Sequence, residues 1–196
     1  MNSWKPWLCA TKCCPTWIFH CSTLTTKCSW EWSQVTRELL TRLRQAIPEI
    51  ILRTTFIVGF PGETDSAHES LMEFVAEQKF NHVGVFTYSP ENGTKAFRFD
   101  DDVPEERKNF RRDQLMHMQQ QISAEHMLNL VGKDVDVLVE GVSEETELLL
   151  QGRYTGQAPD VDGVTYINDG NPKVGDIVQC RVVQAGDYDL VVSVNE

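Results

Sequence analysis

The sequence predicts an α/β region with a parallel sheet, followed by a small all-β barrel. Three observations carry this reading. Between Ser33 and Leu130, apolar residues at helical spacing alternate with short strand-like runs, the arrangement of a parallel sheet flanked by helices. From Val131 onward the chain breaks into five short β-rich runs separated by Gly, Asp, Asn and Pro, a spacing that favours an OB-like barrel. Residues 1–33 fit neither pattern, and the stretch 8–33 holds five of the six cysteines and three of the five tryptophans.

The elements follow in order. Val35, Leu39, Leu40, Leu43 and Ile47 keep helical spacing, with Ser33 or Thr36 as N-cap and Pro48 as the stop. "IILRTTFIVGF", residues 50–60, reads as a short buried strand that runs into the turn "GFPGET". Ser66 and Glu69 then make an S-x-x-E capping box for a helix carrying Leu71, Met72, Phe74 and Val75 inward. "HVGVFTYS", residues 82–89, is a second strand, and "PENGTKAF" a glycine-bearing turn after it. From Pro104 to Leu130 one face of a long helix carries Phe110, Leu115, Met118, Ile122 and Leu128, which leaves Arg107, Lys108, Arg111 and Arg112 on a solvated side. The barrel strands are expected in "VDVLVEG", "TELLLQGRY", "GVTYIND", "DIVQCRVVQ" and "YDLVVSV". Cys180, between Val178 and Val182, is expected as a small buried hydrophobe.

Composition narrows the function classes. The chain of 196 residues has a formal charge of −11, the wrong sign for a non-specific binder of phosphate backbones. Most of that excess sits in residues 131–196, which carry 13 acidic and 4 basic side chains. The surface there is either simply solvated or a docking face for a basic protein. No apolar run reaches the roughly 18 residues of a membrane span, and no signal-peptide core opens the chain. A soluble, cytoplasmic monomer is expected.

The sharpest local signal is "GFPGET". Gly59 and Gly62 let the backbone approach a ligand at the carboxyl end of a strand, where ligands of α/β sheets bind. Glu63 stands where the next helix begins, at the positive end of its dipole. Tyr88, Ser89 and Thr94 occupy the equivalent place after the next strand. An ordinary strand-to-helix turn explains either segment alone; two at neighbouring strand ends suggest a shared pocket. His20, His68, His82, His117 and His126 show no metal-ligand spacing and are expected mostly at the surface or its boundary. The N-terminal cysteines begin a C-x-x-x-C pattern at Cys9 and Cys13, but the next position of an iron-sulfur motif is Thr16. The later spacings match no zinc or cluster signature.

"RTTFIVGFPGET", "VGVFTYSPENGTKAF", "VPEERKNFRRDQLMHMQQQIS", "GRYTGQAPDVDGVTYI", "KVGDIV" and "AGDYDLVV" together resemble the carboxyl part of the radical S-adenosylmethionine methylthiotransferases. "APDVDG" and the acidic carboxyl region resemble the ribosomal-protein branch, which modifies an aspartate of the twelfth small-subunit protein, more than the tRNA branch. The resemblance implies that residues 34–130 are the end of a radical S-adenosylmethionine domain, a partial TIM-type barrel, and residues 131–196 a TRAM domain. Gly59, Phe60, Pro61, Gly62 and Glu63, with Phe86, Tyr88 and Ser89, would then line the S-adenosylmethionine site. The family works with that cofactor and four-iron four-sulfur clusters held by thiolates. This chain shows no cluster ligands, so neither cofactor nor metal binding is expected of it alone. The expected partner is the small-subunit ribosomal protein through the acidic TRAM domain, with RNA less favoured. The alternatives are a non-catalytic TRAM module for a ribosomal protein or RNA, and a fragment of a tRNA methylthiotransferase.

The resemblance also offers an account of residues 1–33. Written as degenerate codons and read one nucleotide earlier, Thr11 to Thr23 permit K-V-L-P-Y-L-D-I-P-L-Q-H, with the aspartate dictated by Trp17 and Ile18. That is similar to the family's fourth-strand motif, at the right distance from "TRELLTRLRQ". Residues 1–33 are therefore read as an out-of-frame segment, with the normal frame regained near Ser33.

Overall fold

The computed structural model describes residues 16–20, 29–100, 102–143, 146 and 149–195. They form two compact units, one running through Gln119 and the other beginning at Gln120.

The first unit is built on a three-stranded parallel sheet of order β1-β2-β3, with β1 at Thr16–His20, β2 at Ile51–Val58 and β3 at His82–Thr87. Helix α1, Ser29–Ala46, links β1 to β2, and α2, Asp65–Gln78, links β2 to β3. Parallel neighbours need such crossovers, so the predicted alternation yields the predicted parallel pairing, Arg53 to Val58 against His82 to Thr87. The edge strand β1 was not foreseen. The out-of-frame reading of residues 1–33 also takes in 29–33, which open α1; its other residues, 1–15 and 21–28, lie outside those described.

Several boundaries differ from expectation. Helix α1 starts at Ser29 rather than after Ser33; no Gly or Pro lies between Ser29 and Val35 to halt it. It ends at Ala46, just before Pro48, as expected. Helix α2 is capped by Thr64, whose Oγ1 accepts from the Ala67 amide at 3.2 Å. Ser66 therefore sits in the first turn instead of closing the expected box with Glu69. Strand β2 is buried on one face only: Leu52, Thr54, Phe56 and Val58 are inside, while Ile51, Arg53, Thr55 and Ile57 are half-buried. The inner face meets an edge-to-face aromatic cluster, with Phe80 at 6.3 Å from Phe56 and 5.8 Å from Phe74 between centroids.

Helix α3, Glu105–Leu128, departs most from its expected face. Phe110 and Leu128 are 61% and 62% exposed, whereas Lys108, Arg111, Leu115, Gln119, Ile122, Ser123 and Met127 are buried. That stripe keeps steps of three and four residues, so its period is helical. Its polar members are tolerated because they find partners: Gln119 donates to the carbonyls of Phe80 and Asn81 at 3.0 and 3.2 Å, and Ser123 donates to that of Asp187 at 2.8 Å. Arg107, Lys108, Arg111 and Arg112 are thus not one solvated face.

The second unit contains a closed five-stranded barrel of order β4-β5-β6-β8-β7. Its strands are β4 Asp134–Val142, β5 Leu150–Tyr154, β6 Thr165–Asp169, β7 Ile177–Ala185 and β8 Leu190–Val194. All five correspond to runs expected from the sequence. Val137, Val139, Cys180, Val182, Leu190 and Val192 fill the interior with Tyr154, Ile167 and Met127. Cys180 takes the buried, hydrophobe-like place expected of it, and desolvation raises its thiol pKa.

Candidate functional site

The two turns singled out in the sequence lie side by side, because Val58 pairs with Thr87 and the Tyr88 amide donates to the Val58 carbonyl at 2.9 Å. After β2 the backbone turns at Gly59, φ +73°, and again at Gly62, φ +80°. Phe60 to Glu63 form a type II turn, with the Glu63 amide donating to the Phe60 carbonyl at 2.9 Å and Pro61 and Gly62 in the central positions. The Gly62 amide donates to Oδ1 of Asp102 at 2.9 Å.

Glu63 is held firmly. Its Oε2 accepts from the Gly59 amide and, at 2.9 Å, from Nη1 of Arg111, which also donates to the Glu63 carbonyl at 3.2 Å. Nη2 of Arg111 reaches Oδ1 of Asp65 at 2.8 Å, and Arg107 joins the same carboxylate at 2.7 Å. The Arg111 contact is the main cause that lowers the Asp65 carboxyl pKa. His68, one turn along α2, is buried with Nε2 3.3 Å from Oε1 of Gln114, and burial lowers its pKa despite the nearby Glu63. Among the histidines whose burial is described it is the one that leaves the expected surface or boundary: burial follows from its place on the inner face of α2 with Leu71 and Val75.

On the second turn, Tyr88 is buried, its ring 5.0 Å from that of Phe60 in edge-to-face contact, and its hydroxyl donates to the Ala96 carbonyl at 3.2 Å. Nζ of Lys108 donates to the Tyr88 carbonyl at 3.3 Å and lies 5.5 Å from the ring centroid. Ser89 is exposed, and Phe86, opposite Ile57 in the pairing, is 63% exposed on the sheet face away from the core. Thr94 closes its own loop, donating to the Glu91 carbonyl at 2.8 Å and accepting from the Phe97 amide at 3.2 Å. The structure thus gathers Gly59 to Glu63 with Tyr88 and Ser89, sets Phe86 beside them on β3, and gives Thr94 a local structural bond.

Sequence reasoning missed Asp65, Asp102, Lys108 and Arg111. The signal for two of them was present: Lys108 and Arg111 precede Leu115 and Ile122 at steps of three, four and seven residues, on the stripe that packs inward. As for metal, no group of three His, Cys, Asp or Glu side chains among the described residues could hold an ion. Cys180 is the free cysteine of the barrel interior; Cys9, Cys13, Cys14, Cys21 and Cys28 lie outside the described residues. The described donor set therefore does not fit an iron-sulfur cluster. The glycine turn at a strand's carboxyl end is compatible with a nucleoside-bearing ligand.

Comparison with known proteins gives the class first. Residues 131–194 match the TRAM domain family, and the chain is similar to methylthiotransferases of a ribosomal protein over most of its length. Those relatives are RimO proteins: the ribosomal protein uS12 methylthiotransferase RimO of Bdellovibrio bacteriovorus is 53% identical over 152 residues, 78% of this chain and 33% of that protein. The RimO of an Anaeromyxobacter species is 52% identical over 155 residues, 79% of this chain and 33% of its own. That of Myxococcus xanthus is 49% identical over 164 residues, 84% and 34%. The resemblance read from the motifs is borne out, and the chain spans about a third of the length of the curated relatives it matches. No helix among the described residues is long and apolar enough to cross a membrane.

Proposed function

We infer that this chain corresponds to the carboxyl-terminal part of a uS12 methylthiotransferase, the end of a radical S-adenosylmethionine domain joined to a TRAM domain near residue 131. The observation that carries the inference is the 49–53% identity to RimO proteins over 78–84% of the chain. In the family, a reduced cluster cleaves S-adenosylmethionine and the substrate is an aspartate of uS12. In this chain the residues that would serve are Gly59 to Glu63, Phe86, Tyr88 and Ser89, forming one side of the cofactor site. The acidic barrel would bind the ribosomal protein in the cytoplasm.

The 196 residues are not expected to perform that reaction alone, because Thr16 stands where the motif opened by Cys9 and Cys13 needs its third cysteine, and the spacings of Cys14, Cys21 and Cys28 match no cluster signature. Anaerobic reconstitution with iron and sulfide, followed by iron analysis and visible absorbance, tests this. Substoichiometric iron and no cofactor cleavage are expected; one cluster per chain with cleavage would contradict it.

The closed barrel with a complete core favours a second reading: a TRAM module that binds without chemistry. Pull-downs with uS12 and with a structured RNA across a salt series separate the partners. Retention of uS12 is expected, and steep salt-dependent RNA affinity would point to the tRNA branch instead.

A further inference from the structure

Helix α3 offers two cations to the two turns, and they are the buried ones. Lys108 and Arg111 are each 2% exposed and three residues apart, hence on one helix face. Each reaches a different strand end. Arg111 spreads its fork over Glu63 and Asp65, tying the turn after β2 to the start of α2, a two-pronged reach that a lysine cannot copy. Lys108 lays its stem against Gly59, where a Cβ would overlap the lysine Cγ, and delivers its ammonium to the Tyr88 carbonyl after β3. Phe60 and Tyr88 then close the circuit through their ring contact at 5.0 Å. Arg107 and Arg112 differ: both are substantially solvated, and they pair with Asp65 and Asp113.

We propose that Lys108 and Arg111 are positioning residues that fix the carboxyl-end turns of β2 and β3 relative to one another, Arg111 through Glu63 and Lys108 through Gly59 and the Tyr88 carbonyl. This rests on the reading of those turns as one side of the cofactor pocket and assigns Glu63 a different part in it. Its Oε2 is taken by the Gly59 amide and Arg111, and its side chain is 8% exposed. Glu63 therefore shapes the turn from inside, while Phe86 and Ser89 are exposed and left to meet a ligand, and exposed Gly62 keeps its amide on Asp102.

Amide hydrogen exchange by NMR on the full chain tests the clamp without any ligand. Arg111→Met, which keeps the stem and removes the charge, is expected to speed exchange at Gly59 about tenfold or more, leaving Val139 and Val182 of the barrel within about twofold of the parent. Arg111→Lys restores a cation beside Glu63 and is expected to recover part of that protection; Arg112→Met should change nothing. Lys108→Met should shift the Tyr88 ring and carbonyl resonances. If Arg111→Met unfolds the first unit, Glu63→Gln gives the same comparison, since its amide oxygen can still accept from Gly59 but carries no charge for Arg111. Parent-like exchange at Gly59 in the charge-removing variants, equal loss in the Lys and Met variants, or uniform acceleration across both units would overturn the proposal. Titration of the parent chain with S-adenosylhomocysteine addresses the pocket separately. Shifts at Gly59, Gly62 and Ser89 support it, and their absence refutes the pocket reading while the exchange data still decide the clamp.

Discussion

The two units solve the burial problem in opposite ways. The barrel returns on itself, so each strand has two neighbours and the interior is largely apolar: Val137, Val139, Val182, Leu190 and Val192 with the thiol of Cys180, and buried Thr165 satisfied by donating to Gln157 at 2.7 Å. The α/β unit buries one face of its sheet, and the stripe that its helix α3 turns inward includes Lys108, Arg111 and Gln119. A closed apolar core stabilises wherever it forms and specifies little beyond itself. A buried ion pair contributes little net stability but is costly to break, so it selects one geometry. The difference teaches where precision is concentrated: at the two strand-end turns, not in the barrel.

That contrast can be broken at either end. Arg111→Met leaves Glu63 buried and uncompensated, and should destabilise the α/β unit by about 3–5 kcal/mol, measured as a fall in its denaturation midpoint that Arg112→Met does not reproduce. Leu190→Ala opens a cavity in the barrel, with an expected cost of about 3 kcal/mol confined to the melting of residues 131–194.

A pH experiment probes the same apolar interior. Burial pushes the Tyr154 hydroxyl pKa up to about 12 from 10.0. The folded state therefore keeps its proton longer than the unfolded chain. The Tyr154 contribution is unchanged below pH 10 and is lost as the pH rises from 10 to 12, by up to about 2–3 kcal/mol. Tyr154→Phe should flatten that decline in an alkaline denaturation series. The smallest effect belongs to Thr64→Ala, which removes the α2 cap and should cost about 1 kcal/mol, read as a modest drop in the midpoint of the α/β unit alone.

The barrel was the more legible half of the sequence. Val135 and Val137 alternate with Asp134 and Asp136, Cys180 and Val182 flank Arg181, and Gly, Asp and Asn mark the turns, so local pattern and final structure agree. The α/β half was legible where chemistry is local, as in "GFPGET", whose two positive-φ glycines do what glycines uniquely allow. It was illegible where a long-range partner reverses the usual meaning of a residue type. Lys108 and Arg111 look like surface residues until Tyr88 and Glu63 are brought to them across twenty and forty-eight residues of chain. Phe110 and Leu128 err in the other direction, since an apolar side chain on a helix with a mixed stripe carries no label for its face. The half-buried state of β2 likewise follows from which neighbours its second face receives, which its own apolar residues do not specify.

The barrel thus closes on its own core, while in the α/β unit the buried cations Lys108 and Arg111 set the geometry of the two strand-end turns. Limited proteolysis followed by mass spectrometry tests this contrast most directly. A persistent fragment is expected that begins between Gln120 and Gly132 and contains all five barrel strands, outlasting every peptide from residues 29–119. Arg111→Met should shorten the life of the latter peptides only. Loss of both regions together, or a barrel fragment cut as fast as the rest, would contradict it.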